Sequence, residues 1–231
     1  MIRENVARIL GRLGEICARL GRDPREVVLV GVTKYAEVAA IREAIGAGLA
    51  HIGENKVQDA GKKFPLIGDA IGKVTKHMIG HLQTNKVKQC LEIFDFIQSV
   101  DSVKLANVIE AQAAKLNKRV DVLVQVNTAG EEQKFGIPLT EAFPLIEEVS
   151  RLRHIQLLGL MTMAPFGADE KALRQCFRGL RLLRDKAVER FSGAPNIAMQ
   201  YLSMGMTDDF EIALEEGSNM VRIGRAIFSD Q

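Results

Sequence analysis

Val27-Val28-Leu29-Val30-Gly31-Val32-Thr33-Lys34 is the stretch of sequence that decides the fold. Six consecutive apolar or glycine residues, most of them β-branched, are typical of a strand that is buried on both faces, as in a parallel sheet. The lysine that follows is expected to emerge where the sheet opens into loops, which is the edge at which α/β folds bind ligands. A lysine there can reach water, pair with an anion, or form a Schiff base with a carbonyl compound. The stretch alone leaves these roles open.

Strand-like and helix-like segments alternate along the rest of the chain. The predicted strands cover residues 27–34, 49–52, 73–79, 93–100, 120–126, 155–161, 197–202 and 220–223. The predicted helices cover 2–20, 37–48, a stretch ending near 64, 82–91, 102–117, 139–152, 169–191 and 208–216. Strict alternation implies a parallel sheet, and eight strands suggest a closed barrel.

We therefore predict an α/β fold: a single TIM-type (β/α)8 barrel domain, residues 1–231, with a leading N-terminal helix. Few residues follow the last strand, so helix 2–20 is expected to take the place of a final outer helix. A doubly wound open sheet is the alternative. Its dinucleotide fingerprint is not matched, because Gly46-Ala47-Gly48 precedes a strand and is typical of a helix C-cap.

Composition excludes several classes of protein. The 31 basic and 29 acidic residues are mixed along the chain, and without a basic block we expect no nucleic-acid partner. Cys17, Cys90 and Cys176 are widely spaced in helical segments, which favours core thiols in a reducing compartment. No signal peptide or bilayer-spanning run is evident, so we expect a cytoplasmic protein that does not contact membranes.

Polar side chains collect where the predicted strands end. In a barrel, the carboxyl ends of the strands form the ligand-binding face. The residues at or just past these ends are Lys34, Asn55, His81, Asn127, Met161, Ser203 and Arg225. The segment 217–225, with Ser203 and Gly205 from the preceding loop, resembles a phosphate-binding turn. A plain loop before a helix, capped by Asp208 and Glu211, would also explain part of this pattern.

Metal and nucleophile sites are not supported by the sequence. His77 and His81 are four residues apart, but the segment between them is strand-like, so the rings would not share a helical face. The HExxH and GxSxG motifs are absent. What remains is a lysine with a phosphate-binding turn, and pyridoxal 5′-phosphate, a phosphorylated aldehyde, would use both.

Five ordered motifs then resemble a known family across essentially the whole chain. They are Val30-Gly31-Val32-Thr33-Lys34, Gly53-Glu54-Asn55, the segment 77–86, the segment 202–209, and Val221-Arg222-Ile223-Gly224. Together they resemble the YggS/PROSC family of pyridoxal phosphate homeostasis proteins, which is similar to the barrel domain of fold-type III enzymes such as alanine racemase.

The resemblance implies cofactor-binding roles for eight residues and no catalytic residue. Lys34 would carry the cofactor as an internal aldimine, and Asn55 would lie near its ring. Ser203 and the amides of Gly224 and Arg225 would bind the phosphate. Arg222 would face the pyridine nitrogen, and Met161 and Met206 would line the pocket. The family commonly has a small hydroxyl residue at position 225, so the Arg225 side chain could either strengthen phosphate binding or crowd it.

We predict a pyridoxal phosphate carrier that buffers the cofactor or delivers it to apoenzymes, and that acts as a monomer without enzymatic turnover. The alternative is a fold-type III amino-acid racemase. That reaction needs a second acid/base group, and the two tyrosines, Tyr35 beside the lysine and Tyr201 inside a strand, offer little support. A phosphosugar isomerase ranks third, because Glu54 is its one obvious strand-end base. Lys134, in a polar loop, is a hypothetical secondary contact for the aldehyde.

Overall fold

The computed structural model describes residues 1–130 and 135–229, and its strands close into a parallel barrel. Eight strands form the ring: β1 (Val28–Val32), β2 (His51–Glu54), β3 (Thr75–Met78), β4 (Phe96–Val100), β5 (Val120–Asn127), β7 (Ile155–Met161), β8 (Ile197–Ser203) and β9 (Met220–Ile223). A two-residue strand, β6 (Ile137–Pro138), pairs with the end of β5. The ring is closed by pairing of β9 with β1 and of β4 with β5. The predicted (β/α)8 barrel is confirmed.

Helices surround the barrel. They are α1 (Ile2–Arg19), α2 (Val38–Gly46), α3 (Val57–Ile67), α4 (Val87–Ile93), α5 (Val103–Lys115), α6 (Ala142–Ser150), α7 (Glu170–Arg190), α8 (Phe210–Glu215) and α9 (Arg225–Phe228). Two of them begin later than predicted, because 3₁₀ turns occupy residues 84–86 and 139–141. Within the described residues, no helix is both long and apolar enough to cross a membrane.

Alternate residues of each strand enter two different apolar layers. Leu29 belongs to the large core between the strands and the helices, whereas Val30 belongs to a smaller cluster with residues of β4, β5, β7 and β9. This period of two is the geometry of a strand whose side chains point alternately outward and inward. The smaller cluster consists of Val30, Phe96, Leu123, Met161 and Met220 and fills the barrel interior.

Helix α1 covers the seam between the first and last strands, as predicted. Asn5 Nδ2 donates to the carbonyl of Ile227 in α9 at 3.1 Å. Arg12 binds both carboxylate oxygens of Glu211 in α8 at 2.8 Å each. Since α9 has only four residues, this leading helix supplies the outer layer on that side of the barrel.

Gly159 allows β7 and β8 to pack closely. Its φ of +152° is unusual for other residues, and a Cβ there would lie 1.9 Å from the carbonyl oxygen of Tyr201. The register between the two strands shifts between Leu157 and Gly159, and after the shift Met161 lies opposite Ser203. Gly159 thus allows the close approach of two strands whose carboxyl ends border the site described next.

Candidate functional site

A cavity of about 500 Å³ opens at the carboxyl ends of β1, β7, β8 and β9. Residues from the four loops that follow these strands line it, as the barrel geometry requires. The lining consists of Val32, Lys34, residues 164–168, Leu173, residues 206–209, Arg222, Gly224 and Arg225. Its volume lies within the ordinary range for small-molecule sites.

Five of the eight predicted binding residues line this cavity: Lys34, Met206, Arg222, Gly224 and Arg225. The other three lie close to the same barrel end, but not in the lining. Asn55 directly follows β2 and is half-buried. Its carbonyl oxygen packs against Gly80, where an added Cβ would lie only 2.2 Å from it. Met161 is fully buried in the barrel interior, and Ser203 is fully buried at the end of β8.

Lys34 projects over the mouth of the barrel. It lies two residues beyond the end of β1, and its exposed amine lies 4.9 Å from the ring centroid of Tyr35. The tyrosine ring is itself 88% exposed. The backbone just before the lysine is held by the amide of Thr33, which donates to the carbonyl of Gly53 at 2.9 Å. Lys34 therefore lines the cavity from a strand end that is held in place.

A buried ion pair supports this strand end from the outer side of the barrel. Glu54 is 1% exposed, and its Oε1 accepts hydrogen bonds from Lys63 Nζ at 2.7 Å and from Thr33 Oγ1 at 2.8 Å. Lys63 also donates to the carbonyl of Thr33 at 2.7 Å. The residue preceding Lys34 is thus held at both its side chain and its carbonyl.

Arg222 forms the buried floor of the cavity. Its guanidinium donates to Ser203 Oγ at 2.6 Å and to the carbonyl of Thr162 at 2.8 Å. Burial lowers the pKa of this group to about 10, against an opposing effect of Asp209. The guanidinium therefore keeps its positive charge at neutral pH.

The Ser203 hydroxyl donates its single proton to another protein side chain. It accepts from Arg222 and donates its one proton to Gln98 Oε1 at 2.7 Å. A phosphate needs a donated proton, so a bond from this side chain to phosphate would require the hydroxyl to leave Gln98. In this structure Ser203 binds Arg222, and its predicted contact with phosphate stays a prediction.

Acidic residues share the cavity rim with the predicted phosphate-binding turn. Asp208 forms an exposed ion pair with Arg225 across the rim. Asp209 Oδ1 accepts from the amide of Met206 at 2.5 Å, and burial raises the pKa of its carboxyl. The expected capping pair of Asp208 and Glu211 is wrong, because the N-cap of α8 is Asp209 and Asp208 is paired with Arg225 instead.

Sequence reasoning missed one hydroxyl and one ion pair. Thr207 lies in the loop between β8 and α8 and lines the cavity beside Gly224 and Arg225. The one available signal was its position four residues past Ser203 in the same motif. The pairing of Glu54 with Lys63 had no sequence signal beyond the placement of both residues around α3.

His77 and His81 occupy separate environments. His77 is buried in the barrel, whereas His81 lies on the open face, 3.2 Å from Asp101 and stacked on Phe135. Across residues 1–130 and 135–229, no group of three or more His, Cys, Asp or Glu side chains is arranged to hold a metal ion. Lys134, the hypothetical secondary contact, lies outside the described residues.

Comparisons with known proteins point the same way as the geometry. Residues 13–231 match the family model of the N-terminal domain of alanine racemase. The chain is 39% identical to a pyridoxal phosphate homeostasis protein of Aquifex aeolicus over 99% of this chain and 97% of that protein. It is 32% identical to PipY of Synechococcus elongatus, solved with pyridoxal phosphate bound, with a TM-score of 0.85 over 99% of this chain and all of that one.

A more distant likeness concerns the fold alone. Alanine racemase of Clostridium difficile is 15% identical, with a TM-score of 0.76, over 99% of this chain and 57% of the racemase chain.

Proposed function

This chain belongs to the family of pyridoxal phosphate homeostasis proteins, and on that premise we propose that it binds pyridoxal 5′-phosphate in the Lys34 cavity and buffers or delivers it. The observation that carries the proposal is that Lys34 and Arg222 line one cavity together with the turn that follows β9. An amine, a buried cation and a phosphate-binding turn are the groups that this cofactor needs. The proposal treats residues 1–231 as one cofactor-binding domain.

The residues of the cavity fit the cofactor. Pyridoxal phosphate supplies, when bound, an aldehyde that a lysine amine can attack and a ring that can delocalise electrons. Lys34 is the lysine that lines the cavity, and its side chain is exposed. The fully buried guanidinium of Arg222 is held by two hydrogen bonds to protein atoms and needs no rearrangement to present its charge.

We assign the phosphate to the loops after β8 and β9. Thr207, Gly224 and Arg225 all line the cavity, and an ion pair between Asp208 and Arg225 joins the two loops. A side chain at Gly224 would be tightly packed, since a Cβ would lie 3.3 Å from the carbonyl oxygen of Val32. Backbone amides at such a turn, together with a threonine hydroxyl and a guanidinium, are typical phosphate donors.

Arg222 also favours carriage of the cofactor over turnover. A guanidinium has protons to donate but gives them up reluctantly, so it would leave the ring nitrogen a weaker electron sink than a carboxylic acid would. The two tyrosines are poorly placed to serve as a second acid/base group. Tyr201 makes an edge contact with Phe96 in the barrel, at 6.1 Å between centroids, and Tyr35 is exposed to solvent.

The proposal extends to the setting in which the protein works. We propose that it acts as a cytoplasmic monomer and that apoenzymes requiring pyridoxal phosphate receive the cofactor. Its three cysteines are buried thiols, which suits a reducing compartment.

The test compares the wild type with Lys34→Ala and, as a control, Lys62→Ala, which removes an exposed lysine from a neighbouring depression that Lys34 also lines. Each protein is mixed with pyridoxal phosphate, its visible absorbance is recorded, and the product is reduced with borohydride and mapped by peptide analysis. We expect one adduct, on Lys34, and its loss only in Lys34→Ala. An adduct spread over several surface lysines, or none, would overturn the proposal.

A further inference from the structure

Four hydrogen bonds join Arg222 to His51 through the barrel interior. Arg222 Nη1 donates to Ser203 Oγ at 2.6 Å, and Ser203 Oγ donates to Gln98 Oε1 at 2.7 Å. Gln98 Nε2 lies 2.9 Å from His77 Nδ1, and His77 Nε2 lies 3.1 Å from His51 Nδ1. Arg222 floors the cavity, whereas His51 is the first residue of β2 at the opposite end of the barrel. We call this chain of five side chains the interior relay.

The guanidinium of Arg222 and the orientation of the Gln98 amide, whose oxygen faces Ser203 and whose nitrogen faces His77 and Met220 Sδ, together fix the direction of every bond in the interior relay. A guanidinium can only donate, so Ser203 accepts from it and donates its own proton to the amide oxygen of Gln98. The amide nitrogen of Gln98 then faces His77 and donates to Nδ1. His77 must therefore carry its proton on Nε2 and donate to His51. This assignment of tautomers follows from the hydrogen-bond partners alone.

Burial makes this arrangement costly to break. Ser203 and Gln98 are fully buried and His77 is 1% exposed. Burial, with a smaller effect of His51, lowers the pKa of His77 to about 3, so the ring stays neutral at physiological pH. A stacking contact with Phe96, at 5.0 Å between centroids, restrains the ring as well. A buried donor or acceptor without a partner costs free energy, so each member depends on the next.

We propose that Gln98 is a positioning residue: through Ser203 it orients the Arg222 guanidinium toward the cofactor cavity, and it fixes His77 as the neutral Nε2-protonated tautomer. Ser203 accordingly hydrogen-bonds to Arg222 and does not bind the phosphate. The part that concerns the cofactor rests on the proposed function, whereas the tautomer of His77 does not.

The first experiment is nitrogen NMR of ¹⁵N-histidine-labelled protein without cofactor at pH 7. We expect His77 to be neutral with its proton on Nε2. In Gln98→Glu, a carboxylate can only accept from His77, so the proton should move to Nδ1. Gln125→Leu removes another buried barrel glutamine, outside the relay, and should leave the His77 signals unchanged. A charged or Nδ1-protonated His77 in the wild type would overturn the proposal, even if no variant folds.

The second experiment measures dissociation constants for pyridoxal phosphate and for pyridoxal, which lacks the phosphate. Loss of one hydrogen bond to a charged group is expected to raise both constants about tenfold in Gln98→Leu and in Ser203→Ala. Because both variants break the same chain, the double variant should be no weaker than either. Gln125→Leu should bind like the wild type.

Two outcomes would overturn the positioning role. One is that Ser203→Ala weakens binding of pyridoxal phosphate but leaves binding of pyridoxal unchanged, which would mean that Ser203 contacts the phosphate. The other is that Gln98→Leu binds as tightly as Gln125→Leu. If the wild type binds neither compound, the proposed function fails, and the histidine spectra still decide whether the interior relay exists.

Discussion

Replacing Lys63 with methionine should destabilise the protein more than any ordinary surface change. The substitution keeps most of the side-chain volume but removes the cation that pairs with Glu54 at 2.7 Å. Glu54 is 1% exposed, and its second oxygen, Oε2, has no hydrogen-bond partner in the structure. The carboxylate of the variant would keep only its bond from Thr33 Oγ1.

The size of the effect follows from the burial of the pair. Removing one partner of a buried ion pair costs about 3–5 kcal/mol, because an uncompensated charge is left behind. Lys63 is 17% exposed, so the lower end applies. For 231 residues, an unfolding entropy of about 2 cal/mol/K per residue turns about 3 kcal/mol into a fall in Tm of about 6 °C.

Calorimetry of three variants tests this reasoning. Lys62→Met, which changes the neighbouring exposed lysine, should stay within about 0.5 kcal/mol of the wild type. Lys63→Met with Glu54→Gln removes the charge as well as its partner and should recover most of the loss. If Lys63→Met melts within about 1 °C of the wild type, or if the double variant melts no higher than Lys63→Met, the ion pair does not stabilise this strand end.

Three further predictions concern the cavity and the seam. In Thr207→Val the dissociation constant of pyridoxal phosphate should rise about tenfold while that of pyridoxal is unchanged, because only the phosphate loses a donor; equal losses for both compounds would contradict this. In Asp208→Ala the released Arg225 guanidinium should tighten binding of pyridoxal phosphate by up to about fivefold at low salt, and the gain should vanish at high salt, since both side chains are exposed; weaker binding would mean that the ion pair itself shapes the site. In Glu211→Gln the loss of stability should be at most about 1 kcal/mol at pH 7, because the pair with Arg12 is partly exposed. The hydrogen bond from Arg12 lowers the pKa of the Glu211 carboxyl from 4.5, so its contribution is complete above that pH and disappears as the pH falls through the lowered value. A difference in denaturant midpoint that does not shrink as the pH is lowered below 4.5 would argue against this origin.

Most of the barrel could be predicted because its elements are strongly periodic. The run from Val27 to Val32 and the alternation of strands with amphipathic helices indicate which residues are buried. Short elements carry no such pattern. Helix α9 and strand β6 have four and two residues, and their formation depends on packing against α1 and β5.

The sequence predicts those site residues whose place follows directly from the end of a strand. Position after a strand places Lys34, Gly224 and Arg225 at the cavity, but the path of each loop decides which neighbour enters it. In the loop after β8, Thr207 lines the cavity, whereas Ser203 remains beneath it with Arg222. Partners from distant strands, such as Gln98 with His77, have no local signature in the sequence, since the register of the closed barrel brings them together.

The seam beneath α1 also sets an order of events during synthesis. β1 has its second partner only when β9 exists, and the turn at Gly224, which lines the cavity, is made long after β1. Contacts between segments that are far apart in sequence form late, and until they do the strand edges stay open to other partners. A partly made chain would present Lys34 without the turn that holds the phosphate. Firm retention of the ligand would therefore distinguish finished molecules from nascent ones.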